Sequence, residues 1–126
     1  MAEIDFSVLD ASELFSYEGL VSMVGEGGYM KVCEAFYADI SQLYAEKYAS
    51  ADNDSVESNR RFAHRIKGSA GNIGAKKLSL LAADVEQRLS NGEAHSIRDL
   101  LTELKKVLDT LAVFRSENGR YSQAGD

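Results

Sequence analysis

His64 and Lys67 stand one helical turn apart in the stretch Arg60-Arg61-Phe62-Ala63-His64-Arg65-Ile66-Lys67-Gly68-Ser69-Ala70-Gly71-Asn72-Ile73-Gly74, and their types favour one chemistry. An imidazole, with a reference pKa of about 6.5, is largely neutral and nucleophilic near neutral pH. Its attack on phosphorus would leave a phosphoryl group on the ring. The flexible ammonium of Lys67 reaches far enough to meet the charge of that group. His64 is therefore the candidate acceptor, and Lys67 the candidate stabiliser.

Helical phase decides whether this histidine belongs to a core. At about 100° per residue, with His64 at zero, Phe62 falls at about 160°, Ile66 at about 200°, Ser69 at about 140° and Ile73 at about 180°. These residues form an apolar seam. On the other side Arg60 and Gly68 lie about 40° to either side of His64, with Gly71 about 20° and Lys67 about 60° away. A lone histidine in a helical protein is most often structural, but one opposite the seam is not a core histidine. Gly68 and Gly71 each cost a helix about 0.5–1 kcal/mol relative to alanine. On the His64 face their missing side chains clear a path for another macromolecule. Arg60 and Arg61 add positive charge at the same surface. Ser69 faces inward, where its hydroxyl suits local hydrogen bonding better than catalysis.

The elements that must position this helix are legible in the apolar spacing. Asp10-Ala11-Ser12-Glu13 matches a capping box, predicting a short helix from Ala11 to about residue 24, with a break near Gly19. Residues 1–9 lead in as an arm. Gly25-Glu26-Gly27-Gly28 reads as a turn. Tyr29, Cys33, Phe36, Ile40 and Leu43 then recur at helical spacing and predict a long amphipathic helix to about Ala51. Met30, Tyr37, Tyr44 and Tyr48 line a neighbouring stripe, read mainly as a wide core face, from which some side chains could surround His64. Asp52-Asn53-Asp54-Ser55 supplies a turn and an N-cap.

Gly74 suits the stop of the His64 helix. Leu78, Leu81, Ala82, Val85 and Leu89 predict a helix over about 76–90, closed by Asn91-Gly92, and the strong stripe from Ile97 to Phe114 predicts a last one over about 96–115. No segment alternates with period two. The expected fold is all-α, an antiparallel up-down-up-down four-helix bundle with an additional short N-terminal helix. Its bundle covers residues 10–115, and a polar tail, 116–126, is expected to fray.

Composition narrows the function further. The chain has 126 residues, 44% of them apolar, enough for one core. Its only Cys and His residues are Cys33, His64 and His95, too few for a structural zinc site of the usual kind. Cys33 lies on an apolar stripe and reads as a packed thiol; His95 reads as solvated. A net charge of −6 argues against a dedicated nucleic-acid binder. Yet from Ser58 to Ala83 there is no acidic residue, while Arg60, Arg61, Arg65, Lys67, Lys76 and Lys77 fall there. This positive island favours an acidic partner. No apolar run approaches the roughly 20 residues of a membrane span, and no signal-like leader opens the chain. A cytoplasmic monomer is expected.

The residues His64-Arg65-Ile66-Lys67-Gly68-Ser69-Ala70-Gly71-Asn72-Ile73-Gly74-Ala75-Lys76-Lys77-Leu78 resemble the signature of histidine-containing phosphotransfer (HPt) domains. The resemblance implies a four-helix bundle that accepts a phosphoryl group from an aspartyl phosphate on one receiver domain and passes it to another. His64 corresponds to the phosphorylated residue, Lys67 to the basic residue beside it and Gly68 to the small residue that admits the partner. Ile73 stands where leucine is common. The implied partners are receiver domains of response regulators or of a hybrid sensor histidine kinase, with Mg²⁺ held by the receiver and no cofactor bound by this chain. Glu86, in the following helix, is a weaker candidate to face His64 and hydrogen-bond its ring.

With no GxxxxGK[ST] motif and no room for a separate kinase domain, the chain reads as a phosphocarrier and not as an autonomous enzyme. Two alternatives keep a similar fold: the phosphoacceptor domain of a chemotaxis-type kinase, and a helical adaptor that is never phosphorylated. The first is disfavoured by a chain that opens at Met1 without a kinase core, the second by the presence of acceptor, lysine and glycines together. A di-metal carboxylate bundle would need Glu three residues before a histidine, and neither His64 nor His95 has one.

Overall fold

The computed structural model describes residues 3–119, which form five helices and, within those bounds, no strand. They are α1 (Ser7–Ser12), α2 (Glu18–Ser50), α3 (Val56–Asn72), α4 (Lys76–Ser90) and α5 (Arg98–Glu117). α3 packs most closely on α4, α2 on α5, and α1 covers part of α5. Contacts of α2 with α3 and with α5 show opposed directions. Tyr29 meets Ile73 and Lys47 meets Asn59 between α2 and α3; Glu34 meets Arg115 while Tyr48 meets Arg98 between α2 and α5.

The apolar stripes read from the sequence are the core. Cys33, Phe36 and Ile40 of α2, Phe62, Ala63 and Ile66 of α3, Leu78, Ala82 and Val85 of α4, and the run from Leu100 to Phe114 of α5 are buried together. Each helix thus hides one stripe, the arrangement in which apolar burial holds a bundle together. The Cys33 thiol is pushed up to about 12 by burial, so it lies protonated and unreactive in the core.

Helix boundaries depart from expectation where side-chain caps compete. α1 begins at Ser7, not Ala11, with Phe6 at the N-cap position and the Asp5 carboxylate accepting the Ser7 N–H at 2.9 Å. Asp10 lies inside that helix, and Glu13 ends it at φ 58 instead of closing a capping box. The lead-in segment belongs to the packed structure: Ile4 and Leu9 are buried, and the Asp5 backbone exchanges two hydrogen bonds with the Asn118 side chain. The expected Gly25–Gly28 turn is a kink at Gly25 alone, at φ 80 and ψ 165, and the helix resumes beyond it. α5 extends to Glu117 and Asn118 is buried; from residue 120 onward the expected tail lies outside the described residues.

The ends of α3 are held firmly. At its N-terminus the Ser55 hydroxyl accepts the Ser58 N–H at 3.1 Å, as a serine N-cap does. At its C-terminus Gly74 takes φ +77, and a Cβ there would lie 2.2 Å from the Ser16 carbonyl oxygen. The Ser16 N–H donates to the Gly74 carbonyl at 2.8 Å, and the buried Tyr29 hydroxyl donates to the Ile73 carbonyl at 2.6 Å. Gly74 is therefore both the helix stop and the close-approach point of the α1–α2 connection.

Candidate functional site

His64 projects from the middle of α3 with its side chain 65% exposed, while Phe62 and Ile66 point into the core. The imidazole is not merely solvated. Its Nδ1 lies 2.6 Å from Oε2 of Glu86 on α4, and the other oxygen, Oε1, accepts from Lys67 Nζ at 2.7 Å. Arg60 Nη1 stands 3.8 Å from Oε2. One carboxylate, itself 15% exposed, gathers the histidine, the lysine and an arginine.

The charge state of Glu86 follows from these neighbours. The hydrogen bond from Lys67 is the largest influence holding its carboxyl below the ordinary value of 4.5, and the bond with His64 adds to it against some desolvation. An ionised carboxylate only accepts hydrogen bonds. The proton between Glu86 and a neutral His64 ring therefore resides on Nδ1, leaving a free lone pair on Nε2. Nε2 is then the ring nitrogen with a lone pair available to a partner group.

The surface around the ring is open along α3. Nothing lies within 4 Å of a Cβ built on Gly68, and one on Gly71 meets only Ser79 Oγ at 3.9 Å. Both glycines are exposed, so close helix packing does not account for either. Arg61 is 71% exposed, with only a 4.0 Å approach to Glu57. Arg60 is committed elsewhere, donating to both Glu57 oxygens at 2.9 and 2.5 Å.

Three features escaped the sequence reading. The acid-free island is acid-free only along the chain: in space, Glu57 holds Arg60, Glu86 holds Lys67, and Asp39 of α2 pairs with Arg65. Lys67 is likewise not a free ammonium but one positioned by Glu86. The tyrosines of α2 do not surround His64. Tyr37 lies under the Arg115 guanidinium, and Tyr44 and Tyr48 line a groove of about 670 Å³ beside Arg98 and Lys105 of α5. Glu86, the weaker sequence candidate, does face His64 and bonds its ring; its spacing of eight residues from Leu78 puts it at the edge of the apolar stripe of α4.

A family model, the Hpt domain, matches residues 31–114. The chain belongs to the Hpt family. Searches of curated proteins and of solved structures returned no match. The Hpt match spans the long part of α2 through nearly all of α5, and so includes both sides of the His64–Glu86 contact. Hpt domains serve as phosphocarriers in histidine phosphotransfer and meet receiver domains of response regulators and kinases. No helix among the described residues of this Hpt domain is long and apolar enough to cross a membrane.

Proposed function

We propose that this Hpt domain carries a phosphoryl group on Nε2 of His64 between the aspartates of two receiver domains in a multistep phosphorelay. The observation that carries the reading is the 2.6 Å contact of His64 Nδ1 with Glu86, which commits one ring nitrogen and leaves the other facing an uncluttered surface. The Nε2 lone pair attacks the phosphorus of the receiver's acyl phosphate. The N–P bond forms as the P–O bond breaks, and the aspartate leaves with the electron pair. The ring becomes positively charged and keeps its Nδ1 proton, while Glu86 offsets that charge. Lys67 is the cation beside the ring that would favour the phosphoryl oxygens, with Arg60, held by Glu57, and the exposed Arg61 adding positive charge to the same surface. A second receiver aspartate reverses the same step.

Positioning and charge neutralisation account for most catalysis of phosphoryl transfer. Mg²⁺ is assigned to the receiver, and Gly68 and Gly71 to the surface that admits it. In this reading the helices form an up-down-up-down bundle that acts as a rigid platform and works as a cytoplasmic monomer. Incubation with a phosphorylated cognate receiver should place an acid-labile, alkali-stable phosphate on the protein, and His64→Gln should abolish it. Label retained by that variant would refute the assignment.

A further inference from the structure

Some helical hydroxyls in this protein bond within their own helix. Thr102 and Thr110 each donate to the carbonyl four residues back, at 3.0 and 2.9 Å, the local habit of such side chains. Ser79 does otherwise. Its own carbonyl neighbour, Ala75, receives only the Ser79 backbone N–H, while the hydroxyl crosses from α4 to α3 and donates to the Lys67 carbonyl at 2.9 Å.

The place where it lands is the residue whose side chain Glu86 holds. Ser79 and Glu86 are seven residues apart, and so lie on one stripe of α4, separated by about 10 Å along its axis. That stripe grips Lys67 twice, at the backbone through Ser79 and at Nζ through Glu86. Apart from the contacts of Glu86 with His64 and Arg60, the remaining α3–α4 interface is built from apolar residues such as Ile66, Ala70, Leu78, Ala82 and Val85. Apolar burial is non-directional, and the exposed Gly71 surface opposite Ser79 offers no ridge to stop sliding. A slide of about 1 Å would carry the contact between Glu86 and His64 beyond hydrogen-bonding distance.

We infer that Ser79 is a positioning residue: its hydroxyl sets the register of α4 on α3, and through Glu86 it keeps the His64 proton on Nδ1 and Nε2 free. The role rests on the proposed chemistry at His64, but its hold on the ring can be observed without any transfer.

The test compares Ser79→Ala, Ser79→Thr and Ser79→Val by ¹⁵N NMR of the His64 ring and by the rate of transfer from a phosphorylated receiver. Threonine and valine share a shape and differ in the hydroxyl. Threonine should keep the Nδ1–H tautomer and a rate near that of the parent. Alanine and valine should mix the two tautomers and slow transfer by about threefold to tenfold, the range that one hydrogen bond of ordinary net strength controls. Equal spectra and rates for threonine and valine would overturn the role of the hydroxyl, whether both match the parent or both fall. Should valine prove too large to fold, alanine with the parent's tautomer and rate overturns it equally. A parent protein that takes no label on His64 refutes the phosphocarrier reading instead, and the ring spectra then still decide whether Ser79 governs the tautomer.

Discussion

α3 carries two ionic networks, and they are built in opposite ways. Near its start, Lys47 of α2 is buried and donates to Asp54, Ser58 and Asn59 at 2.6, 3.0 and 3.1 Å, with Ser50 also bonded to Asp54. Three acceptors take up all three protons of the ammonium. Two turns onward, Glu86 collects His64, Lys67 and, at longer range, Arg60, but the histidine and lysine remain 65% and 38% exposed. The first network is closed and ties the α2–α3 turn. The second is satisfied on one side only, leaving Nε2 and the lysine donors open to an incoming group. Buried polar groups stabilise when every valence is met; a reactive site needs one left over.

The largest effect that would separate the two regions comes from Gly68→Gln. Space is free around Gly68, and glutamine is the better helix former. Thermal stability should hold or rise slightly, while transfer from a receiver falls by about 100-fold, as expected when a reacting centre is displaced by about 1 Å. Transfer at the parental rate would remove the access argument for this glycine.

Lys67→Ala should follow, slowing transfer by about tenfold through loss of a charge-assisted contact. It should also let the Glu86 carboxyl rise toward its ordinary value, since Lys67 is the largest cause of its depression. Titration by ¹³C NMR reads that rise directly, and an unmoved carboxyl would separate Lys67 from the network.

In the closed network the expectation is reversed. Lys47→Ala strands the buried Asn59 side chain, and should cost about 2 kcal/mol in denaturant unfolding, with His64 labelling unchanged where the variant is folded. A loss of labelling in folded Lys47→Ala would show that the two regions are coupled.

Acid supplies the smallest and most graded test. The Glu86 carboxyl is depressed in the folded state, so its stabilising contribution is complete above its unfolded value of 4.5 and is lost as pH falls through the lower folded value. Asp54 behaves in the same sense from an ordinary value of 3.8, with its hydrogen bond from Lys47 the largest cause. Glu86→Gln should flatten the pH dependence of stability below 4.5 relative to the parent, leaving the parts due to the other depressed carboxyls, Asp54, Glu57 and Asp5. An unchanged acid limb would exclude Glu86 from it.

Much of this was written in the chain. Apolar residues recurring every three or four positions determined the four long helices, because a helix must bury one stripe and periodicity reports which. The same phase put His64, Gly68 and Gly71 opposite Phe62 and Ile66. Local caps were less legible: Asp10 and Glu13 have the types of a capping box, yet the helix starts at Ser7 with no side-chain cap and Gly25 needed only a kink. Such competition among short-range hydrogen bonds is decided by where the flanking chain packs, here by Leu9 in the core and Ser16 against Gly74.

Tertiary structure alone decided which nitrogen of His64 is free. Glu86 is 22 residues away along the chain, and its approach depends on the register of α4 against α3, which no spacing within either helix contains. The same holds for Arg65 with Asp39 and for Lys47 with Asn59. A sequence specifies which face of each helix is apolar, since that is a property of one helix. The partner of a charged group at the edge of that face is a property of two, and it emerges only when they pack.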